Sequence, residues 1–253
     1  MKQSDKNKLE FEGKVMQSKS YGDFKIIKYN STNDVEIEFL STGYKTSAHL
    51  SNIKKGAVKD PYLPVIYGVG YIGEGKYTSR IDGIQLISYK RWKEMLNRCY
   101  NKSNSSYKNY GAKGVYVCDE WHNYQNYAKW WEENCTNDKQ VVDKDILHKG
   151  NKCYSPENCC FVPSDINTLF ISRKHERGEY PIGVRIKEGH IIAQINYMGK
   201  KIHLGTFNTV EDAFKAYKIA KEKCIKEYAD NHKEEITERV YNALYNYNIE
   251  ITD

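Results

Sequence analysis

The chain has 253 residues, of which 40% are apolar and 28% charged, and it carries a formal charge of +6. With a mean hydropathy of −0.77, a single large core is not expected, and two or three compact units are. No apolar run is long enough for a membrane span, and the opening MKQSDKNKLEFEG is polar rather than leader-like, so a soluble cytoplasmic protein without membrane contact is expected. The seven cysteines include no Cys-x-x-Cys pair and their number is odd, which predicts buried thiols, with neither a disulfide framework nor zinc. A mildly basic balance permits nucleic-acid binding without establishing it. The 22 tyrosines suit either a wet polyanion interface or Tyr-rich small cores.

Residues 1–60 read as a small antiparallel β barrel. VMQSK, DFKIIKY, DVEIEFL and YKTSAHLSNI alternate with period two and are separated by turn-forming residues such as Tyr21-Gly22-Asp23 and Ser41-Thr42-Gly43. The spacing is similar to Tudor-like or chromo-like barrels, which dock a protein partner or nucleic acid. Residues 61–84, with Pro61, Pro64 and several glycines, read as an ordered linker.

Residues 85–172 hold the chemistry. Tyr89–Tyr100 and Asn123–Asn134 have the apolar spacing of amphipathic helices. Between them, Gly111 and Gly114 flank Lys113, which is placed either to meet a phosphate or merely within a loop packing Trp121. The stretch VVDKDILHKGNKCYSPENCCFVPSDIN, 141–167, reads as strand, loop, strand, helix. In that order Asp143, Asn158 and Asn167 converge where the elements meet, and short oxygen-bearing side chains are what a hard divalent cation takes.

At these residues the sequence resembles the HNH (ββα-metal) nucleases of phages and mobile introns, the homing-endonuclease branch in particular. Arg98-Cys99, Tyr110-Gly-Ala-Lys-Gly-Val115 and Val117-Cys-Asp-Glu-Trp121 resemble further blocks of such phage proteins, in order. The resemblance implies that Asp143 and Asn167 hold Mg2+ or Mn2+ and that Asn158 steadies the site. Lys144 stands where the family has its general-base His, and Asp145 or His148 of the same loop is then expected to take that role. A lysine near its ordinary pKa of about 10.4 does not accept a proton at neutral pH. The alternative is a module that grips DNA without cutting it.

Residues 180–230 read as three strands and a helix. Gly183-Val184-Arg185, Ile191–Ile195, Leu204-Gly-Thr-Phe207 and Thr209–Tyr217 resemble the apetala/ethylene-response-factor (AP2/ERF) DNA-binding domain, whose sheet enters the major groove. The resemblance implies DNA contacts from Arg185, Lys187, Gln194, Lys201 and His203. Residues 231–253 read as a C-terminal helix and tail. The whole is expected to be α+β: an N-terminal barrel, a central HNH-like ββα-metal module framed by helices, and a C-terminal three-stranded sheet plus helix. The expected function is Mg-dependent hydrolysis of double-stranded DNA directed by that sheet, in a phage protein of a bacterial host. The alternatives are a decayed DNA-binding derivative, acting as a regulator or anti-defence factor, and an adaptor whose barrel binds a partner.

Overall fold

The computed structural model describes residues 3–170, 179–197 and 199–253, and the chain divides into two compact units, Met1–Glu133 and Asn134–Asp253. Both mix helix and sheet, so the protein is α+β. No helix among the described residues is long and apolar enough to cross a membrane.

The first unit opens with helix α1 (Gln3–Phe11), which the polar N-terminal sequence did not announce because only Phe11 of its residues is buried. Strands β1 (Val15–Ser18), β2 (Gly22–Ser31), β3 (Asp34–Phe39) and β4 (Lys45–Ala48) follow, and each pairs antiparallel with the next. The expected barrel does not form: the sheet is an open meander in the order β1-β2-β3-β4. Four strands, two of them only four residues long, are too little sheet to curl back on itself. Phe11 and, from helix α2 (Leu50–Lys54), Leu50 and Ile53 instead join Phe24, Ile26, Val35, Ile37 and Phe39 in one buried cluster.

Residues 61–84, read as a linker, carry the short hairpin β5 (Arg80–Ile81) and β6 (Ile84–Gln85). The buried Gln125 ties this stretch down, donating to the carbonyls of Ile72 and Tyr77 and accepting from the Tyr77 amide. Helix α3 (Ile87–Tyr100) buries Trp92, Met95, Leu96 and Cys99, as its spacing predicts. Helix α4 (Tyr124–Asn134) buries Tyr127, Trp130 and Trp131. Trp92 donates from Nε1 to the Trp121 carbonyl at 2.6 Å, and Trp121 lies 4.7 Å from Trp130 between ring centres. These tryptophans are core, which removes them from any stacking surface. A two-residue strand, β7 (Tyr116–Val117), lies between the two helices in the chain.

In the second unit, β8 (Gln140–Asp143) pairs antiparallel with β10 (Cys160–Pro163), with Asp143 opposite Cys160, and helix α5 (Ser164–Leu169) follows directly. The short strand β9 (Cys153–Tyr154) lies in the connecting segment. Strands β11 (Val184–Lys187), β12 (His190–Tyr197) and β13 (Lys200–Phe207) form a three-stranded antiparallel sheet. Helix α6 (Val210–Asn231) starts at Thr209, whose side chain caps it by accepting from the Asp212 amide, and α7 (Glu238–Tyr245) ends the regular structure. One core runs through all of this: Val162 and Ile166 join Val184, Ala193 and Ile195 of the sheet, Tyr217 and Ile225 of α6, and Leu244 of α7. The strand-loop-strand-helix element and the sheet-helix element, read as separate modules, thus share one interior.

Candidate functional site

Asp143 ends β8, and its Oδ1 accepts hydrogen bonds from the amides of Asp145 and Ile146, each at 2.7 Å. Those bonds turn the chain out of the strand and fix the carboxylate in place. Burial pushes the Asp143 carboxyl above its ordinary pKa, outweighing the two amides that pull it down. Its Oδ2 accepts no hydrogen bond among the described residues, so one oxygen of a desolvated carboxylate is left for a cation or a proton.

Lys144 is buried, at 8% exposure. Its ammonium donates to Oδ1 of Asp145 at 2.7 Å and to the carbonyl of Asn151, with the Tyr154 ring centre 6.0 Å away. Asn151, which sequence reasoning passed over, holds the loop closed: Nδ2 donates to the carbonyls of Lys144 and Cys153, and Oδ1 accepts from the Cys153 amide. The only sequence signal for it was the Gly150-Asn151 step inside a polar loop. Asn158 donates from Nδ2 to the Cys153 carbonyl at 3.4 Å, a long bond that steadies the same loop.

His148 of the loop and Asn167 of α5 make no side-chain hydrogen bond among the described residues. His148 is exposed, and its carbonyl accepts from the Asn151 amide while its ring makes no polar contact among the described residues. Asn167 is half-buried on α5, beside the fully buried Ile166, and its side-chain amide has no hydrogen-bond partner among the described residues. No three His, Cys, Asp or Glu side chains among the described residues gather into a metal-binding group. Buried beside this loop, the Cys160 thiol is pushed up to about 12 by desolvation and the Asp143 charge, which keeps it protonated.

The sheet gathers its candidates better. The register pairs Arg185 with Ile192 and Ile192 with Thr206, Lys187 with His190, Gln194 with His203, and Asn196 with Lys201. Directly paired residues share a face, and residues two apart on a strand share it too. All five expected contacts, Arg185, Lys187, Gln194, Lys201 and His203, therefore lie on one face, together with His190, Asn196, Thr206 and the buried Ile192. Val184, Ala193 and Ile195 lie on the other, in the core with α6.

A bulge makes this possible. The pairing steps from Ala193–Gly205 to Gln194–His203, leaving Leu204 as the extra residue of β13. Without it, β13 would slip by one residue relative to β12, turning Lys201 and His203 toward the face that carries Ala193 and Ile195. Arg185, Lys187, Lys201 and His203 are exposed. Lys187 has Glu188 at 3.8 Å, with both side chains in water, a pairing of little energetic weight. The face itself contains no acid.

Lys113 is exposed in the first unit, at the end of a short 3-10 turn, Gly111–Lys113. Compared with protein-family models, with curated proteins and with solved structures, the chain matches none of them.

Proposed function

We propose that the protein binds double-stranded DNA through the outward face of the β11-β12-β13 sheet. The observation that carries this reading is the shared face: three permanent cations, two histidines and two amide side chains stand together on a three-stranded sheet with no acid among them. Cations neutralise phosphates and release counterions, and Gln194 and Asn196 have the donor and acceptor pair that meets a base edge. A sheet of this width suits the major groove, as the resemblance to AP2/ERF domains implies. The test is the salt dependence of duplex binding. Arg185→Gln/Lys187→Gln/Lys201→Gln is expected to lower the slope of log K against log salt by about 3, near 0.9 for each phosphate no longer neutralised. An unchanged slope would remove this face from the interface.

A second reading, Mg2+-dependent cleavage, is favoured by one observation: the half-buried Asp143 carboxylate, whose Oδ2 accepts no hydrogen bond among the described residues. A divalent ion with a carboxylate on one side and substrate phosphate on the other fits such a group. Asn167, on the helix that follows β10, would supply the second protein oxygen. The base is the weak point of this reading. An ammonium that donates to a carboxylate and a carbonyl has no lone pair to take a proton from water, so Lys144 serves the loop, and the base would be His148 or Asp145, whose Oδ1 holds Lys144. Plasmid nicking with Mg2+ or Mn2+, lost in Asp143→Asn, is the result this reading requires.

A further inference from the structure

We infer that the segment from the end of α3 to Cys118 in the first unit is a second phosphate-gripping surface for duplex DNA, acting through Lys102, Lys108 and Lys113. It rests on the reading of the protein as a duplex binder but uses other residues in another unit. Across this stretch the sequence places Arg98, Lys102, Lys108 and Lys113 and not one acid. Of the acids that flank it, Glu94 lies 3.2 Å from Arg91 and Asp119 lies 3.7 Å from His122, while Glu120 is exposed just past the stretch. Lys102, Lys108 and Lys113 are exposed, and among the described residues none has a carboxylate at ion-pair distance.

The loop is also held in shape. The Asn101 side chain accepts from the Ser103 amide and that of Asn104 from the Ser106 amide, at 3.1 and 2.8 Å. The Tyr100 hydroxyl donates to the Val117 carbonyl and accepts from the Val117 amide. The Arg98 guanidinium lies 5.0 Å over the Tyr110 ring. At Gly111 a Cβ would sit 2.1 Å from the Cys99 carbonyl oxygen and 2.3 Å from the Tyr107 ring, so the loop backbone lies directly on the end of α3. A flexible lysine-rich loop would lose its freedom on binding, and this one has lost most of it beforehand. Lysines act at phosphates as point charges, so the grip is independent of sequence.

The experiment uses the full chain, a fluorescein-labelled duplex of mixed sequence and a salt series. Lys102→Gln/Lys108→Gln/Lys113→Gln is expected to lower the log-log salt slope by about 3, and the three Lys→Arg changes to restore it. The sheet variant Arg185→Gln/Lys187→Gln/Lys201→Gln should keep weak, salt-sensitive binding that disappears when the two sets are combined. Unchanged circular dichroism and melting of the Gln variants separate a weakened grip from a damaged fold. If the loop variant binds with wild-type affinity and slope while the sheet variant is weakened, the loop proposal is overturned and the sheet reading stands. If neither set alters binding, both fall. Polyglutamate competing as strongly as DNA for the wild type, and not for the loop variant, would overturn the duplex assignment in favour of an acidic polypeptide.

Discussion

Gly183→Ala is the sharpest test of how the sheet is set on its helix. Gly183 precedes β11 at φ +78°, and a Cβ there would lie 1.9 Å from Cδ2 and 2.2 Å from Cγ of Tyr217 on α6. Two costs follow. Holding an L-residue at positive φ costs about 1–2 kcal/mol. The Tyr217 ring is 4% exposed and packed in the core, so it cannot retreat, and forcing carbon into such a site costs about 1–3 kcal/mol more. Together these come to about 2–5 kcal/mol, against a typical total of about 5–15 kcal/mol. Urea denaturation followed by circular dichroism measures this directly, and the same substitution in a Tyr217→Ala background isolates the ring. There the steric part should vanish and only the backbone part of about 1–2 kcal/mol remain. An equal cost in both backgrounds, or a cost under about 0.5 kcal/mol in the first, the scale of ordinary surface changes, would refute the packing argument. If the β11 face binds duplex as proposed, that affinity should survive at temperatures where the variant stays folded.

Two further outcomes concern titratable groups in the second unit. His232 joins Asp165 of α5 through Nε2 and Glu235 through Nδ1, both at 2.9 Å, and stacks on Tyr228. Burial opposes the charged ring, but the two carboxylates outweigh it, so its folded pKa is raised. Its stabilisation is then full below the unfolded value of about 6.5 and lost as pH rises through the folded value. Urea midpoints should fall between pH 6 and pH 8 more in the wild type than in His232→Gln, and equal falls would refute the bridge. Asp143 is raised by burial, so its ionised form weighs against the fold at neutral pH and the fold gains as pH drops through its folded pKa. Asp143→Asn keeps an oxygen for the two amides and should melt no lower than the wild type at pH 7. If Oδ2 takes Mg2+, the ion should raise the melting temperature of the wild type and leave Asp143→Asn unmoved.

Local pattern announced most of the elements, and closure announced itself least. The four N-terminal strands follow from period two, but whether β4 returns to β1 depends on partners far apart in sequence, and Phe11, Leu50 and Ile53 provide a cover that alternation does not reveal. Helix α1 was silent because its two apolar residues, Leu9 and Phe11, stand two apart and make no helical periodicity. Thr209 was legible as a cap because capping needs only the residues that follow it. The turn Asp143 makes with the amides two and three residues on is equally local, although the sequence singled that residue out for a metal instead. The fate of Lys144 was not, because it depends on the Asn151 carbonyl across a loop and on the burial that loop creates.

The same distinction explains why the sheet supports a functional reading better than the Asp143 loop does. Strict alternation along Lys201 to Phe207 would place Lys201, His203 and Phe207 on one side, which no half-buried strand tolerates. The extra residue at Leu204 resolves that conflict, sending Phe207 to the core and Lys201 and His203 to the face that carries Arg185 and Lys187. A single backbone irregularity thereby aligns charges from three strands. The Asp143 loop has no comparable device: it turns Lys144 inward onto Asp145 and Asn151 and leaves its histidine outside. A loop built to cleave needs a base aimed at water beside its metal, whereas a sheet built to bind needs only cations on one side, and the chain meets the second requirement more fully than the first.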